Sequence, residues 1–463
     1  MITKYINSRT NPRFLLSLIL GISVLIRIIA AVYLGDKVVV LPGTMDQISY
    51  HNLALRVLGG HGFTFGVGWW PATPANQPTA HWSYLYTLYL VLVYFIFGPH
   101  PVAARLIQAV IVGLLQPYLT YKIGQRIFGE GVGLIAAFLS TIYIYFIYYS
   151  ATLMTEPFYI TSILWALFLA IEIVDLSSRL GKNQSHRKII LSICLGLALA
   201  SGALLRQLLL IVVPFLLVWI WLVLWKRKKE LPITTTVIVA GIMLAVILPI
   251  TFYNYQRFHR FVLLNTNAGF AFFWGNNPIY GTQFQPILSE ENITYGNLIP
   301  KDLRTLNEAA MDQALLKRGI GFVISDPVRY ILLSISRIPF YFEFWPSNGS
   351  SLISNISRIL SFGIMLPFML YGMIGIFLNR SEKALRKWDS PAVMLLLFSL
   401  IYTGIHVLTW TLIRYRLPVD AVMLIFAGYA LADIYQKIVR RFTKSKGTSD
   451  NLQTGFVLIK PDK

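Results

Sequence analysis

Residues 14–34, FLLSLILGISVLIRIIAAVYL, run almost directly into residues 36–81, DKVVVLPGTMDQISYHNLALRVLGGHGFTFGVGWWPATPANQPTAH. The first stretch is apolar except for Arg27 near its middle. At 1.5 Å per residue it reaches about 30 Å as a helix, the thickness of a bilayer's hydrocarbon core. The second stretch cannot lie in lipid as it stands. It sets Asp46, Tyr50, His51, Arg56 and His81 among glycines, prolines and tryptophans. A span followed at once by a polar, turn-rich loop sets the class of the chain.

The remaining sequence repeats that pattern. Apolar runs recur at 102–121, 131–149, 157–174, 189–205, 208–225, 233–253, 356–378, 391–411 and 417–436. The 463 residues are 56% hydrophobic and only 13% charged, where a soluble domain carries about 25% charged residues. Mean hydropathy is +0.62. These features predict an all-α, polytopic transmembrane helical bundle of about ten full spans with added interfacial helices. The first run lacks a small-residue cleavage site and reads as a span, not a removable signal.

The formal charge of +20 comes from 40 Lys+Arg against 20 Asp+Glu. These basic residues gather at span ends, as the positive-inside rule requires, so the charge calls for no nucleic-acid partner. Lys226-Arg227-Lys228-Lys229 is the strongest inside signal, and both termini are expected on that side. Residues 82–97 would make a helix of only about 24 Å. If they crossed, Lys122 and Arg126 would fall outside, so this segment reads as a shallow or re-entrant helix. The lone Cys194 lies in an apolar run and cannot form an intrachain disulfide. The chain divides into a membrane module, 1–253, with its first outer loop at 35–81; an extracytoplasmic segment, 254–355, with helices near 302–320 and 328–345; further spans over 356–440; and a cytoplasmic tail, 441–463.

Acidic residues are scarce on the predicted outer side. MDQISYHNLALRVL reads as a short amphipathic helix with Asp46 and Tyr50 one turn apart. A carboxylate held against a low-dielectric surface is a usable base. Following Gly43-Thr44, Asp46 reads equally as a helix cap. Glu156, just before Pro157, suits the first turn of a helix, where an acid complements the dipole. It also shares a predicted face with Asp46, and two carboxylates there could divide a base role and a metal role. Arg206, Arg414 and Arg416 break the inside bias at span ends, where a lipid phosphate would lie. Arginine suits phosphate because it stays charged and binds with two donors; ordinary headgroup contact is the other reading. The histidines show no paired ligand spacing, which leaves only Asp46 and Glu156, with His81 more weakly, for a divalent metal.

The order of several short motifs resembles the bacterial branch of the GT-C membrane glycosyltransferases, related to protein O-mannosyltransferases and the lipid A aminoarabinose transferase. Those motifs are Asp46 with Tyr50; Pro78 ahead of an aromatic helix ending Phe97-Gly98; Ala104-Arg105-Leu106; Arg126-Ile127-Phe128-Gly129; Thr155-Glu156-Pro157; GALLRQ with Arg206; Trp274-Gly275-Asn276-Asn277-Pro278; and Arg414-Tyr415-Arg416-Leu417-Pro418. They cover roughly residues 10–440.

The resemblance implies transfer of a hexose or pentose, with inversion, from a polyprenyl-phosphate donor to a lipid, glycan or protein acceptor. It places the active site on the extracytoplasmic face of an inner or plasma membrane. It makes Asp46 the base and Glu156 the second acid, and assigns Arg206, Arg414 and Arg416 to the donor phosphate. His81 stands where many members carry Arg or Lys, which makes it a further phosphate candidate. Tyr50, His51, Arg56, Asn276 and Asn277 are substrate-site candidates. Asp46 is followed by Gln47, where the mannosyltransferases carry two adjacent acids. Two other classes remain. A transporter of lipid-linked glycans would need broken helices and buried charge at mid-membrane. A non-enzymatic envelope partner would tolerate loss of Asp46.

Overall fold

The computed structural model describes residues 11–179, 185–285, 294–347, 349–378 and 385–445. The expected tail beyond Ser445 lies outside the described residues, and among them there are no strands. In chain order the helices are α1 (Pro12–Leu34), α2 (Asp46–Leu58), α3 (Tyr84–Phe97), α4 (Pro101–Phe128), α5 (Glu130–Ile142), α6 (Ile144–Ser150), α7 (Glu156–Arg179) and α8 (Ser185–Leu205). They continue with α9 (Leu209–Lys228), α10 (Ile233–Phe258), α11 (Ala268–Gly275), α12 (Glu308–Ser325) and α13 (Pro327–Tyr341). The last three are α14 (Leu352–Leu378), α15 (Pro391–Leu408) and α16 (Leu417–Ser445).

Among the described residues, nine helices are long and apolar enough to cross a membrane, and two bent pairs, α5–α6 and α12–α13, are so only when each pair is taken together. The protein is an integral membrane helical bundle. Between lipid-like surfaces, helices gain little from the hydrophobic effect and rely on close backbone approach. α4 and α5 meet at Gly124 and Gly133, where a Cβ on Gly133 would sit 2.7 Å from the Tyr121 carbonyl oxygen. α14 and α16 meet at Gly372, where a Cβ would sit 2.0 Å from the Phe426 carbonyl oxygen.

The apolar run 131–149 is not one straight span. α5 and α6 are bent by 56° at Tyr143, whose backbone is extended. The break exposes carbonyl groups, and Arg27 supplies donors for them. Its guanidinium is fully buried and donates to Ser140 O at 3.2 Å and to Ser23 Oγ at 2.6 Å. The mid-span charge thus faces the bundle interior, as its cost in lipid requires.

α3 is short, as expected, and both of its ends lie at the same end of the bundle. Ser83 caps α3 and donates from Oγ to Leu204 O, at the last turn of α8. Arg105, just after α3, donates to Gly35 O and Lys37 O at the exit of α1. So α3 lies across the ends of the spans. The helix expected at 302–320 starts later, at Glu308, because Asn307 caps it by accepting from Ala310 N at 2.9 Å. α13 follows α12 at an angle of 105°.

The bundle has two distinct ends. Arg126 pairs with Glu172 at 2.5 Å and Asp175 at 2.9 Å, where α4 and α7 finish. Lys226, at the end of α9, pairs with Asp389 at 2.8 Å. α7 begins at the opposite end with Glu156, and its 24 residues put about 36 Å between the two ends. The loop 35–81 and the segments 259–285 and 294–347 fold together over the Glu156 end. Glu308 joins them: it accepts from Thr73 Oγ1 at 2.7 Å, from Ala80 N at 2.8 Å and from Thr266 Oγ1. Phe270, Phe273, Trp274, Met311 and Leu315 form the small apolar core of this cap.

Candidate active site

Asp46 is the first residue of α2, but it does not cap the helix. Met45 holds the cap position and makes no side-chain hydrogen bond there. The Asp46 carboxylate instead lies 2.7 Å from Arg414 Nη1. Arg414 precedes α16 and also donates to Gly43 O at 3.2 Å. Its Nε lies 3.7 Å from Glu156 Oε1 and makes no hydrogen bond.

Glu156 opens α7 and is 1% exposed. Its Oε1 accepts from Arg206 Nη2 at 2.5 Å, and Arg206 Nε donates to Thr155 Oγ1 at 3.2 Å. Acid and base therefore alternate along one line: Asp46, Arg414, Glu156, Arg206. Tyr415 packs against both guanidiniums, with its ring centre 5.3 Å from Arg206 and 5.4 Å from Arg414. Burial works most strongly against the Arg206 charge, but Glu156, Tyr402 and Tyr415 together hold the guanidinium above its ordinary value. Four residues from four regions of the chain thus form one ionic cluster at one end of the bundle.

The other candidates are not part of this ionic line. Arg416 is fully buried, binds Asp420 at 3.0 Å and donates to Tyr341 O at 2.7 Å. Arg56 donates to Thr64 Oγ1 at 3.0 Å and Asn76 Oδ1 at 2.8 Å, stitching the first loop to itself. The His51 ring nitrogen Nδ1 is 2.9 Å from Tyr94 Oη. Tyr50 is buried, with its ring edge-on to Trp82 and Tyr86. Asn276 accepts from Arg337 at 2.9 Å, and Asn277 caps a short turn by accepting from Ile279 N at 3.1 Å. His81 is buried against Trp70, Trp82 and Phe270. Burial holds its imidazole below the ordinary value, against the opposing pull of Glu308 and Asp46, which favours the neutral ring.

A cavity of about 250 Å³ opens beside Asp46. Val40, Met45 and Ile48 line one part and Trp69, Trp70 and Trp82 another, with Asp46 and Ser49 as its polar members. Trp70 sits at the tip of a tight turn closed by Trp69 N donating to Thr73 O at 2.8 Å and Thr73 N to Trp69 O at 2.9 Å. Trp69 and Trp70, visible in the sequence only as tryptophans among the loop's candidate residues, wall the cavity; Tyr415 and Glu308 were not expected at the site. The acid in LNEAA has the signature of any first helical turn, and nothing local shows that it reaches the first loop.

The cluster is a poor fit to a divalent metal. Such ions need several convergent oxygen or imidazole ligands. Among the described residues no group of three or more His, Cys, Asp and Glu comes together. Arg414 stands between the only two acids of the cluster, and the two acids and two arginines already sum to zero charge. A dication on Asp46 and Glu156 would have to displace a guanidinium or sit against it.

No family model matches the chain, and no curated protein matches it by sequence. Solved structures do match. The archaeal oligosaccharyltransferase from Archaeoglobus fulgidus, tethered to an acceptor peptide containing the NVT sequon, superposes with a TM-score of 0.60 at 17% identity, over 97% of this chain and 52% of that one. The same enzyme, AglB, in complex with an inhibitory peptide and a dolichol-phosphate gives a TM-score of 0.59 at 18% identity, over 95% and 52%. ArnT from Cupriavidus metallidurans bound to undecaprenyl phosphate matches more distantly, with a TM-score of 0.46 at 13% identity over 93% of this chain and 63% of that one. The chain spans about half the length of the oligosaccharyltransferase. Over that half, this chain shares the fold of that enzyme.

Proposed function

We propose that the chain is an inverting glycosyltransferase that moves a sugar from a polyprenyl-phosphate donor to a lipid, glycan or protein acceptor on the extracytoplasmic face. The observation that carries this reading is the Asp46–Arg414–Glu156–Arg206 line beside a cavity, at the bundle end away from Arg126 and Lys226. That end is extracytoplasmic by the positive-inside rule.

The geometry supports a simple division of labour. The acceptor oxygen attacks the anomeric carbon from the face opposite the phosphate, and Asp46 takes its proton. The bond between the anomeric carbon and the phosphate oxygen breaks, and its electron pair leaves with the phosphate. Arg206 and Arg414 lie where they can meet that charge, and preorganised donors of this kind are a large source of rate enhancement. The unbonded Nε of Arg414 is one such donor. Glu156 holds both guanidiniums in place. The polyprenyl-phosphate class is supported by the fold, since the similar archaeal enzyme was solved with a dolichol-phosphate. That enzyme has also been solved with Zn and sulfate, but the donor set here gives no step to a metal.

The test is transfer from a radiolabelled undecaprenyl-phosphate hexose by the purified chain, with host envelope fractions as acceptor. Label should leave the lipid and enter a glycolipid, glycan or protein fraction, and Arg414→Gln should abolish this. Label that crosses a proteoliposome membrane while still attached to its lipid would establish the transporter reading instead.

A further inference from the structure

The cavity beside Asp46 has more chemistry than the transfer step uses. Three indole rings wall it. Trp70 is 41% exposed and stacks at 5.3 Å on Trp274, which leaves part of its surface uncovered. Trp82 is only 7% exposed, yet its indole N–H has no partner. Next to it His81, 8% exposed, has an unpartnered Nδ1. Ser49 Oγ accepts from Trp69 Nε1 at 2.9 Å, which leaves its own proton free to donate. A buried polar atom without a partner is uncommon, because leaving it unmade costs about 1–3 kcal/mol. Trp82 lines the cavity, so its unpartnered indole N–H points to a polar ligand that completes it, and His81 beside it adds a second such atom behind the wall.

The shape and charge restrict that ligand. About 250 Å³ lies below the roughly 300–1,000 Å³ of pockets for drug-sized molecules, so it suits one ring rather than an oligosaccharide. Aromatic faces bind the C–H faces of a sugar, while N–H and O–H groups at their edges reach its hydroxyls. Asp46 is the one charged residue lining the cavity, and Arg414 already pairs with it. The wall is therefore effectively neutral.

We infer that this cavity is a subsite for a single neutral pyranose ring, with Trp70 as its stacking platform and Trp82 Nε1 as a hydroxyl donor. The inference rests on the glycosyltransferase reading and names the sugar class that reading leaves open. The ring belongs either to the donor or to the acceptor, and the chemistry is the same for both.

Calorimetry on the full chain in lipid nanodiscs separates the sources. The probes are undecaprenyl phosphate, undecaprenyl-phosphate glucose, methyl glucoside, glucosamine and glucuronate. A donor ring makes the sugar-bearing lipid bind more tightly than the bare lipid, and Trp70→Ala removes about tenfold of that preference while bare-lipid binding holds. An acceptor ring makes methyl glucoside bind, and Trp70→Ala removes that binding. Trp82→Phe keeps the ring and loses the N–H, and it should lower the same affinity by a smaller factor. Equal binding of both lipids together with no methyl glucoside binding overturns the subsite, as does a sugar preference that neither variant changes. Tighter binding of glucosamine or glucuronate than of methyl glucoside overturns the neutral class. Methyl glucoside binding that depends on Trp70, with no binding of either lipid, would uphold the subsite and sink the donor reading.

Discussion

Arg414 and Arg416 stand two residues apart in one turn before α16, and they do opposite things. Arg416 is sealed between Asp420, the Tyr341 carbonyl and the ring of Phe362, with no solvent exposure. Its partner Asp420 also accepts from Tyr143 Oη at 2.7 Å, at the break between α5 and α6. That pair ties α16 to α13 and to the bent span. Arg414 reaches the other way, across to Asp46 on α2, and its acid partner lines a cavity. Two ion pairs of similar chemistry thus divide into one that holds the bundle and one that faces a ligand. Burial and accessible volume, not residue type, make the difference.

The sharpest way to break this comparison is to remove each arginine. Arg416→Met leaves Asp420 charged and buried, which should cost about 3–5 kcal/mol and show as a large fall in thermal stability in detergent. Arg414→Gln should change that midpoint far less, because Asp46 is at the edge of a cavity and can be hydrated. Equal losses would erase the distinction. Next in size, Arg206→Ala should weaken binding of undecaprenyl phosphate by about 10- to 100-fold, as expected for lost hydrogen bonds to a charged group. Arg416→Lys should leave the affinity of the folded fraction unchanged.

A smaller effect concerns the cap over the site. Asp312 accepts from Gly269 N at 2.8 Å and Phe270 N at 3.1 Å, holding the start of α11. Burial pushes its carboxyl up to about 7, with those backbone donors pulling the other way. A carboxyl whose folded value is raised stabilises most at low pH, and that contribution is lost as pH rises from about 4 to about 7. Amide exchange over α11 should therefore quicken across that range, and Asp312→Asn should flatten the dependence. The smallest expected effect is that of a chelator. EDTA should leave turnover unchanged, and equilibrium dialysis should find no zinc held by Asp46 and Glu156. A loss restored by one divalent ion would overturn the poor fit argued from the donor set.

Much of the fold was legible because lipid imposes a simple rule. Runs of apolar residues mark the spans, and the short length of 82–97, with Lys122 and Arg126 beyond it, separated α3 from them. The bend at Tyr143 was not legible, since TIYIYFIYY is as apolar as its flanks and the break depends on Arg27, more than a hundred residues away. At the site, Glu156, Arg206 and Arg414 stood out as charges at span ends and Asp46 as an acid in the first outer loop, all on one predicted face. The same signal marked Arg416, whose engagement with Asp420 depends on the direction of one turn. Asn276 and Asn277 sit in a turn-rich stretch, where side chains are needed to satisfy the backbone, and Arg56 ends α2 bonded to side chains of its own loop; pattern alone does not separate such uses from binding.

The central claim is that Asp46 serves the reaction while Asp420 serves the fold. Asp46→Asn and Asp420→Asn, made in parallel, test it in one preparation by measuring folded fraction and sugar transfer together. Asp46→Asn should fold like the wild type, because Arg414 keeps Glu156 nearby, and should transfer about 100- to 10,000-fold more slowly, the range for loss of a general base. Asp420→Asn should lose stability but keep its rate per folded molecule. Transfer at the wild-type rate by Asp46→Asn would contradict the account.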